Sequence, residues 1–139
     1  DAFTTDADGR WFVTADLGEI SADGVVTVHG RTDDVAISGG VNVALAAVER
    51  IVADHPLVRE AVAAAVPDAT WGQRIVVGVL PTNPDRPPTL TSVRDHVTSR
   101  APVAYAPKEI IVMASVPLVP GGKPDRRAVA ALAASKAVR

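Results

Sequence analysis

The sequence predicts an α+β fold: a small mixed or antiparallel sheet with about three helices, preceded by a short β-meander. Three observations carry this. Short β-branched runs at 61–66, 74–80 and 109–114 read as buried or half-buried strands. Apolar residues recur at helical spacing in three separate segments, and strand patterns alternate with helical ones, which is how helices come to cover one sheet.

Taken in order, residues 10–14 and 25–29 form two strand patterns, punctuated by Asp8-Gly9 and Asp23-Gly24, pairs suited to tight turns. The polar break Gly30-Arg31-Thr32-Asp33-Asp34 follows, and the domain junction is placed there. Residues 1–32 then read as the end of one domain and 33–139 as another. Leu45, Val48, Ile51 and Val52 mark an amphipathic helix over 44–54, with Asn42 near its start and His55-Pro56 closing it. The proline-rich loop 81–88 precedes a second helix marked by Leu90, Val93 and Val97, for which Thr89 or Thr91 is the cap. A third helix, 124–136, is expected to begin at Pro124 and to bury Val129 and Leu132.

Composition excludes several function classes. The 139 residues carry no cysteine, so there is neither a disulfide framework nor a thiol nucleophile, and a reducing, cytoplasmic setting is the default. The formal charge of −2, with scattered basic residues, argues against a nucleic-acid partner. No apolar run has the length of a membrane span. The sequence opens Asp1-Ala2-Phe3 without an initiator methionine or a signal sequence and reads as a piece of a longer chain. His29, His55 and His96 are far apart in sequence, lack metal-ligand spacing and read as structural; no metal site is expected.

Three constellations could carry chemistry. Pro120-Gly121-Gly122-Lys123-Pro124 puts one ammonium on a diglycine turn between prolines, suited to meeting an anionic transition state. Locally it also reads as a turn with a solvated lysine. Ser38-Gly39-Gly40 ends a strand and leads into the first helix, where positive φ and absent side chains leave room for a ligand chain; a plain strand-to-helix turn is the alternative. Asp16 and Arg31 stand at the two ends of the meander and could converge, as a site for ribose hydroxyls and nearby phosphate or as a surface salt bridge.

In this order the constellations resemble the signature run of the adenylate-forming superfamily of acyl-CoA synthetases, luciferases and peptide-synthetase adenylation domains. Trp11 to Gly18 resembles its W-[FY]-x-T-G-D-[LI]-G motif, and Gly30 to Asp34 resembles its G-R-x-[DK]-[DE] junction. Ser38 to Val43 with Val48-Glu49 resembles S-G-G-x-N-V-x-P-x-E-[VI]-E, and Pro120 to Arg126 resembles the closing P-x-[ST]-x-G-K-x-x-[RK]. The departures are Ala15 for the usual glycine, Gly121 for a frequent serine or threonine, and a missing proline within 44–47.

The resemblance implies the C-terminal part of an AMP-forming acyl-CoA ligase. Asp16 would hold the ribose of ATP with help from Arg31, and Asp33 would be the hinge of the small domain. Lys123 would be catalytic in adenylation, and the face around Ser38, Gly39 and Gly40 would line the approach of CoA. ATP, Mg2+ and CoA are the implied cofactors, with the Mg2+ ligands, phosphate loop and acyl pocket in a large N-terminal domain that is also the implied partner. Without that domain no adenylation is expected. Asp68-Ala69-Thr70-Trp71-Gly72-Gln73-Arg74 is more like CoA ligases, and within them similar to the o-succinylbenzoate-CoA ligases of menaquinone synthesis. A fatty-acyl-CoA ligase, a stand-alone binding module with the lid fold and a generic phosphate-binding α+β domain are the alternatives.

Overall fold

The computed structural model describes residues 3–137; Asp1 and Ala2, where the sequence begins, lie outside them. By internal packing the chain divides between Val35 and Ala36.

The first unit holds two antiparallel hairpins. Strand β1 (Phe3–Asp6) pairs with β2 (Gly9–Phe12), and β3 (Asp16–Ile20) pairs with β4 (Val26–Arg31). The expected meander is therefore corrected: its two strands do not pair with each other, and each has a partner that the apolar pattern missed. Trp11, Phe12, Ile20, Val26 and Val28 are all exposed.

The second unit is a five-stranded sheet covered on both faces. It comprises β5 (Val35–Ser38), β6 (Val41–Ala44), β7 (Val58–Asp68), β8 (Gly72–Pro81) and β9 (Glu109–Val112), ordered β6-β5-β8-β7, with β9 parallel to β8. Helix α1 (Leu45–Ala53) follows β6 directly; α2 (Leu90–Thr98) and α3 (Arg126–Ala137) complete the unit.

Alternate residues of β7 and β8 feed two cores. Ala63, Ile75, Val77 and Val79 pack with Val48 and Val52 of α1 and Val93 and Val97 of α2. Val62, Ala64, Val66 and Val76 pack with Ile111, Met113 and the α3 residues Val129 and Ala133. Burial on both faces explains why these strands read as continuous apolar runs rather than as alternating ones. Pro67 is tolerated because β7 lies at the sheet edge, where a missing N–H breaks no ladder. Arg74 pins the start of β9 to β8 through a 2.8 Å ion pair with Glu109.

Helix ends show where local signals succeed and fail. Thr89 caps α2, accepting the Ser92 N–H at 3.1 Å. Asn42 caps nothing, because β6 runs through it and Ala44 is the residue before α1. Helix α3 starts at Arg126, two residues later than expected, because Asp125 accepts the Ala128 N–H at 3.1 Å as its cap. Its buried partner for Val129 is Ala133, while Leu132 is 44% exposed. The buried face of α3 is thus Val129 and Ala133 rather than Val129 and Leu132, which corrects the expected apolar face.

Candidate functional site

Three groups of side chains were expected to carry function, one in the first unit and two in the second. In the first, antiparallel pairing places Asp16 directly across from Arg31. The Arg31 guanidinium lies 3.7 Å from the Asp16 carboxylate and donates its Nε–H to Asp33 Oδ1 at 3.1 Å. Asp33 sits in the short helical turn Thr32–Asp34, anchored by the Thr32 N–H donating to the Ala15 carbonyl at 2.7 Å. The fold thus joins Asp33, expected as a hinge, to Asp16 and Arg31, expected together at the ribose.

Asp33 holds the Arg31 guanidinium above its ordinary pKa, first through their hydrogen bond and then by charge attraction. The cation is permanent, and it stands beside an Asp16 carboxylate that is 45% exposed on its side chain. That carboxylate retains acceptor capacity for a vicinal diol.

In the second unit, Ser38, Gly39 and Gly40 form the turn from β5 to β6. Gly39 and Gly40 adopt φ of +58° and +79°, the left-handed region that side chains resist. Ser38 is buried and pairs with Gly72, and the Gly39 N–H donates to the Trp71 carbonyl at 2.9 Å. The Trp71 indole lies so close over Gly39 that a Cβ there would stand 3.0 Å from its Cε3. Lys108 places its ammonium 4.3 Å from the indole centroid, a cation–π contact.

Ser38, Gly39, Val41, Trp71, Val103 and Lys108 all line one open pocket of about 250 Å³. Sequence reasoning quoted Trp71 only within a motif and missed Lys108; at a separation of 37 positions, no local spacing signals their contact.

Lys123 lies on a closed hairpin. Leu118 bridges Pro124, the Val119 N–H donates to the Lys123 carbonyl at 2.8 Å, and the Gly122 N–H donates to the Val119 carbonyl at 2.9 Å. Gly122 takes the left-handed φ of +82° that closes the turn, and the Asp125 N–H seals the base against the Pro117 carbonyl at 2.8 Å. Lys123 is exposed, and among the described residues its ammonium has no ion pair or hydrogen bond.

Although distant in sequence, His55 and His96 come together with ring centroids 5.2 Å apart, and His96 Nε2 lies 2.9 Å from the Ile51 carbonyl, so it donates there. Among the described residues no three acidic, histidine or cysteine side chains are arranged to hold a metal, and no helix is long and apolar enough to cross a membrane.

Comparison with known proteins adds three findings. Residues 47–123 match the family described as the AMP-binding enzyme C-terminal domain. A probable 2-succinylbenzoate–CoA ligase of Mycobacterium tuberculosis is 37% identical over 125 residues, covering 88% of this chain and 33% of that protein. The medium/long-chain-fatty-acid–CoA ligase FadD8 of the same species is 36% identical over 127 residues, covering 87% of this chain and 22% of that protein. This chain therefore spans a third or less of the length of these relatives. Among solved structures, the o-succinylbenzoate CoA synthetase of Bacillus subtilis in complex with its acyl-adenylate intermediate superposes with a TM-score of 0.79. It is 26% identical and covers 90% of this chain and 25% of that one.

Proposed function

Since this chain belongs to the AMP-binding enzyme C-terminal domain family, we propose that it is the mobile lid of an AMP-forming acyl-CoA ligase and works only with a large N-terminal domain. The observation that carries this reading is the exposed, unpaired Lys123 ammonium on a hairpin closed by its own backbone. A cation held this way is available to a partner that the described residues do not supply.

In the first half-reaction a carboxylate oxygen attacks the α-phosphorus of ATP, the new P–O bond forms, and the bond to pyrophosphate breaks. Negative charge grows on the phosphate oxygens, and Lys123 would stabilise it by electrostatics, without proton transfer. Asp16 would accept hydrogen bonds from the ribose hydroxyls, with Arg31 holding that carboxylate in place and lending positive charge. Mg2+ would neutralise phosphate charge; its ligands belong to the large domain.

Rotation at Asp33 would then replace Lys123 with the Ser38-Gly39-Gly40 face. The CoA thiol attacks the acyl carbonyl there, and AMP leaves. The pocket beside that turn, with a flat indole and the Lys108 ammonium, is suited to a pantetheine chain and an anionic phosphate. The Asp33 hinge is supported by its position in a short turn just ahead of the division between the two units.

The proposed carboxylate is o-succinylbenzoate, which would place the ligase in menaquinone synthesis; fatty acids are the comparison. The test measures acyl-adenylate and acyl-CoA formation by the full-length ligase, wild type and Lys123→Ala, on both substrate classes. Expected is a loss of adenylation of about 10²–10³-fold in the variant, with a supplied acyl adenylate still converted to thioester. Equal adenylation by the two proteins would overturn the reading.

A further inference from the structure

The hairpin that carries Lys123 is clasped to the sheet edge by one carboxylate. Arg126, three residues beyond Lys123, donates Nε–H to Glu49 Oε1 at 3.1 Å and Nη2–H to Glu49 Oε2 at 3.0 Å. Two parallel bonds between planar groups fix direction as well as distance. Glu49 Oε1 also accepts the Ala63 N–H at 3.0 Å. Strand β7 is an edge strand, and this N–H lies on its outer side, where no further strand takes it. The pair is mostly shielded, with side-chain exposures of 22% for Glu49 and 28% for Arg126. It is therefore less weakened by solvent than a fully exposed pair.

The clasp joins elements that otherwise lie on opposite faces of the sheet. Glu49 belongs to α1, which follows directly on β6 and the Ser38-Gly39-Gly40 turn. Arg126 opens α3, which follows directly on the Lys123 hairpin. Helix α1 packs in the core with Ala63 and Val77, and α3 packs in the core with Val62 and Val76. The Glu49 carboxylate is thus the polar link, around the rim of the sheet, between the elements that carry the two loops.

We propose that Glu49, acting through Arg126, is a positioning residue for Lys123: it fixes the base of the lysine hairpin so that only the diglycine tip retains freedom. This rests on the reading of Lys123 as the adenylation cation. Displacing a charge by about 1 Å in a transition state can cost about 10²-fold in rate, so a loosened hairpin should affect the lysine-dependent half-reaction selectively.

The test uses the full-length ligase. Arg126→Ala is expected to lower kcat for adenylation about tenfold or more, with KM for ATP and carboxylate little changed. Thioester formation from a supplied acyl adenylate should stay within about twofold of wild type. Arg126→Lys keeps the charge and one contact with Glu49, and it should recover part of the loss; it also serves if Arg126→Ala fails to fold. Amide hydrogen exchange of Arg126→Lys and Glu49→Gln should be faster at Val119, Gly122 and Asp125 and unchanged along β8.

Equal losses in both half-reactions, or unchanged exchange in the hairpin, would overturn the proposal. Lys123→Ala, measured alongside, separates the two ideas. If it abolishes adenylation while the Arg126 variants do not reduce it, the clasp alone fails. If Lys123→Ala has no effect, the lysine assignment fails, and the clasp proposal with it.

Discussion

The indole of Trp71 seals the Gly39 turn: the Gly39 N–H donates to the Trp71 carbonyl at 2.9 Å while the ring edge fills the space that a side chain at Gly39 would take. Gly39→Ala meets two obstacles, a φ of +58° and a Cβ 3.0 Å from Trp71 Cε3. The left-handed conformation costs a non-glycine residue about 1–2 kcal/mol, and displacing the indole adds to that. Urea unfolding should therefore show a loss of about 1–3 kcal/mol. Gly40→Ala, with a φ of +79° but open space around its Cβ, should lose less.

Gly78 lies in the middle of β8, where a Cβ would come 2.7 Å from Met113 Sδ and 3.4 Å from Val129 Cγ1. Met113 can shift because its side chain is flexible, whereas Val129 is held between α3 and the sheet. Gly78→Ala is expected to cost about 1–3 kcal/mol by overpacking, and Gly78→Val more. Thermal unfolding of Gly78→Ala combined with Met113→Ala checks the cause: the double variant should be more stable than the sum of the singles predicts.

His55 is buried against His96, with Arg100 nearby, and Arg100 itself faces Asp54 at 3.8 Å. Burial, then the charges of His96 and Arg100, push the His55 imidazole below its ordinary pKa of 6.5. Its Nδ1 accepts the Leu57 N–H at 3.1 Å, which requires the unprotonated nitrogen. In the unfolded chain His55 takes up a proton near its ordinary pKa, while the folded state resists. Stability should therefore fall as pH drops from about 6.5 through the lower folded value, and level off below it. Denaturant unfolding between pH 8 and pH 5 on wild type and His55→Gln checks this; the variant should show a shallower decline.

Elements with a strong period were legible in the sequence. Leu45, Val48 and Val52 mark the buried face of α1, and the unbroken runs of β7 and β8 announce a sheet covered on both sides. Strands β1 and β3 were not legible: Phe-Thr-Thr-Asp and Asp-Leu-Gly-Glu-Ile hold no alternating apolar residues to mark them. The start of α3 was misread because Pro124 suits a first helical position, yet Asp125 after it makes the better cap.

At the candidate site, Asp16 and Arg31 were expected to converge, but they do so through the pairing of β3 with β4, which the strand patterns did not show. Contacts that depend on tertiary structure were out of reach. Glu49 meets Arg126 across 77 residues, and His55 meets His96 across 41, distances at which spacing carries no information.

Asp16 and Arg31 separate nucleotide binding from folding. Both side chains are about half exposed, and their approach of 3.7 Å is long for an ion pair, so Asp16→Asn should leave thermal stability unchanged within error. If Asp16 holds the ribose, the same variant should raise KM for ATP in adenylation about tenfold and leave KM for CoA unaltered. Steady-state kinetics with each substrate varied in turn reads both, and an unchanged KM for ATP would reduce Asp16 to a partner of Arg31.

Lys108 and Trp71 offer the complementary measurement on the thioester face. Lys108 is held in place by its own N–H donating to the Ile75 carbonyl at 2.8 Å and by the indole 4.3 Å from its ammonium, so truncating it removes a charge without opening the core. If the pocket receives CoA, Lys108→Ala should raise KM for CoA about five- to tenfold, and less at high ionic strength, where screening already weakens the wild-type attraction. Lys108→Arg keeps the charge over the indole and should restore most of the affinity. Adenylation, measured without CoA, should be unaffected. A loss there equal to the loss with CoA would mean that Lys108 only supports the Trp71 and Gly39 turn.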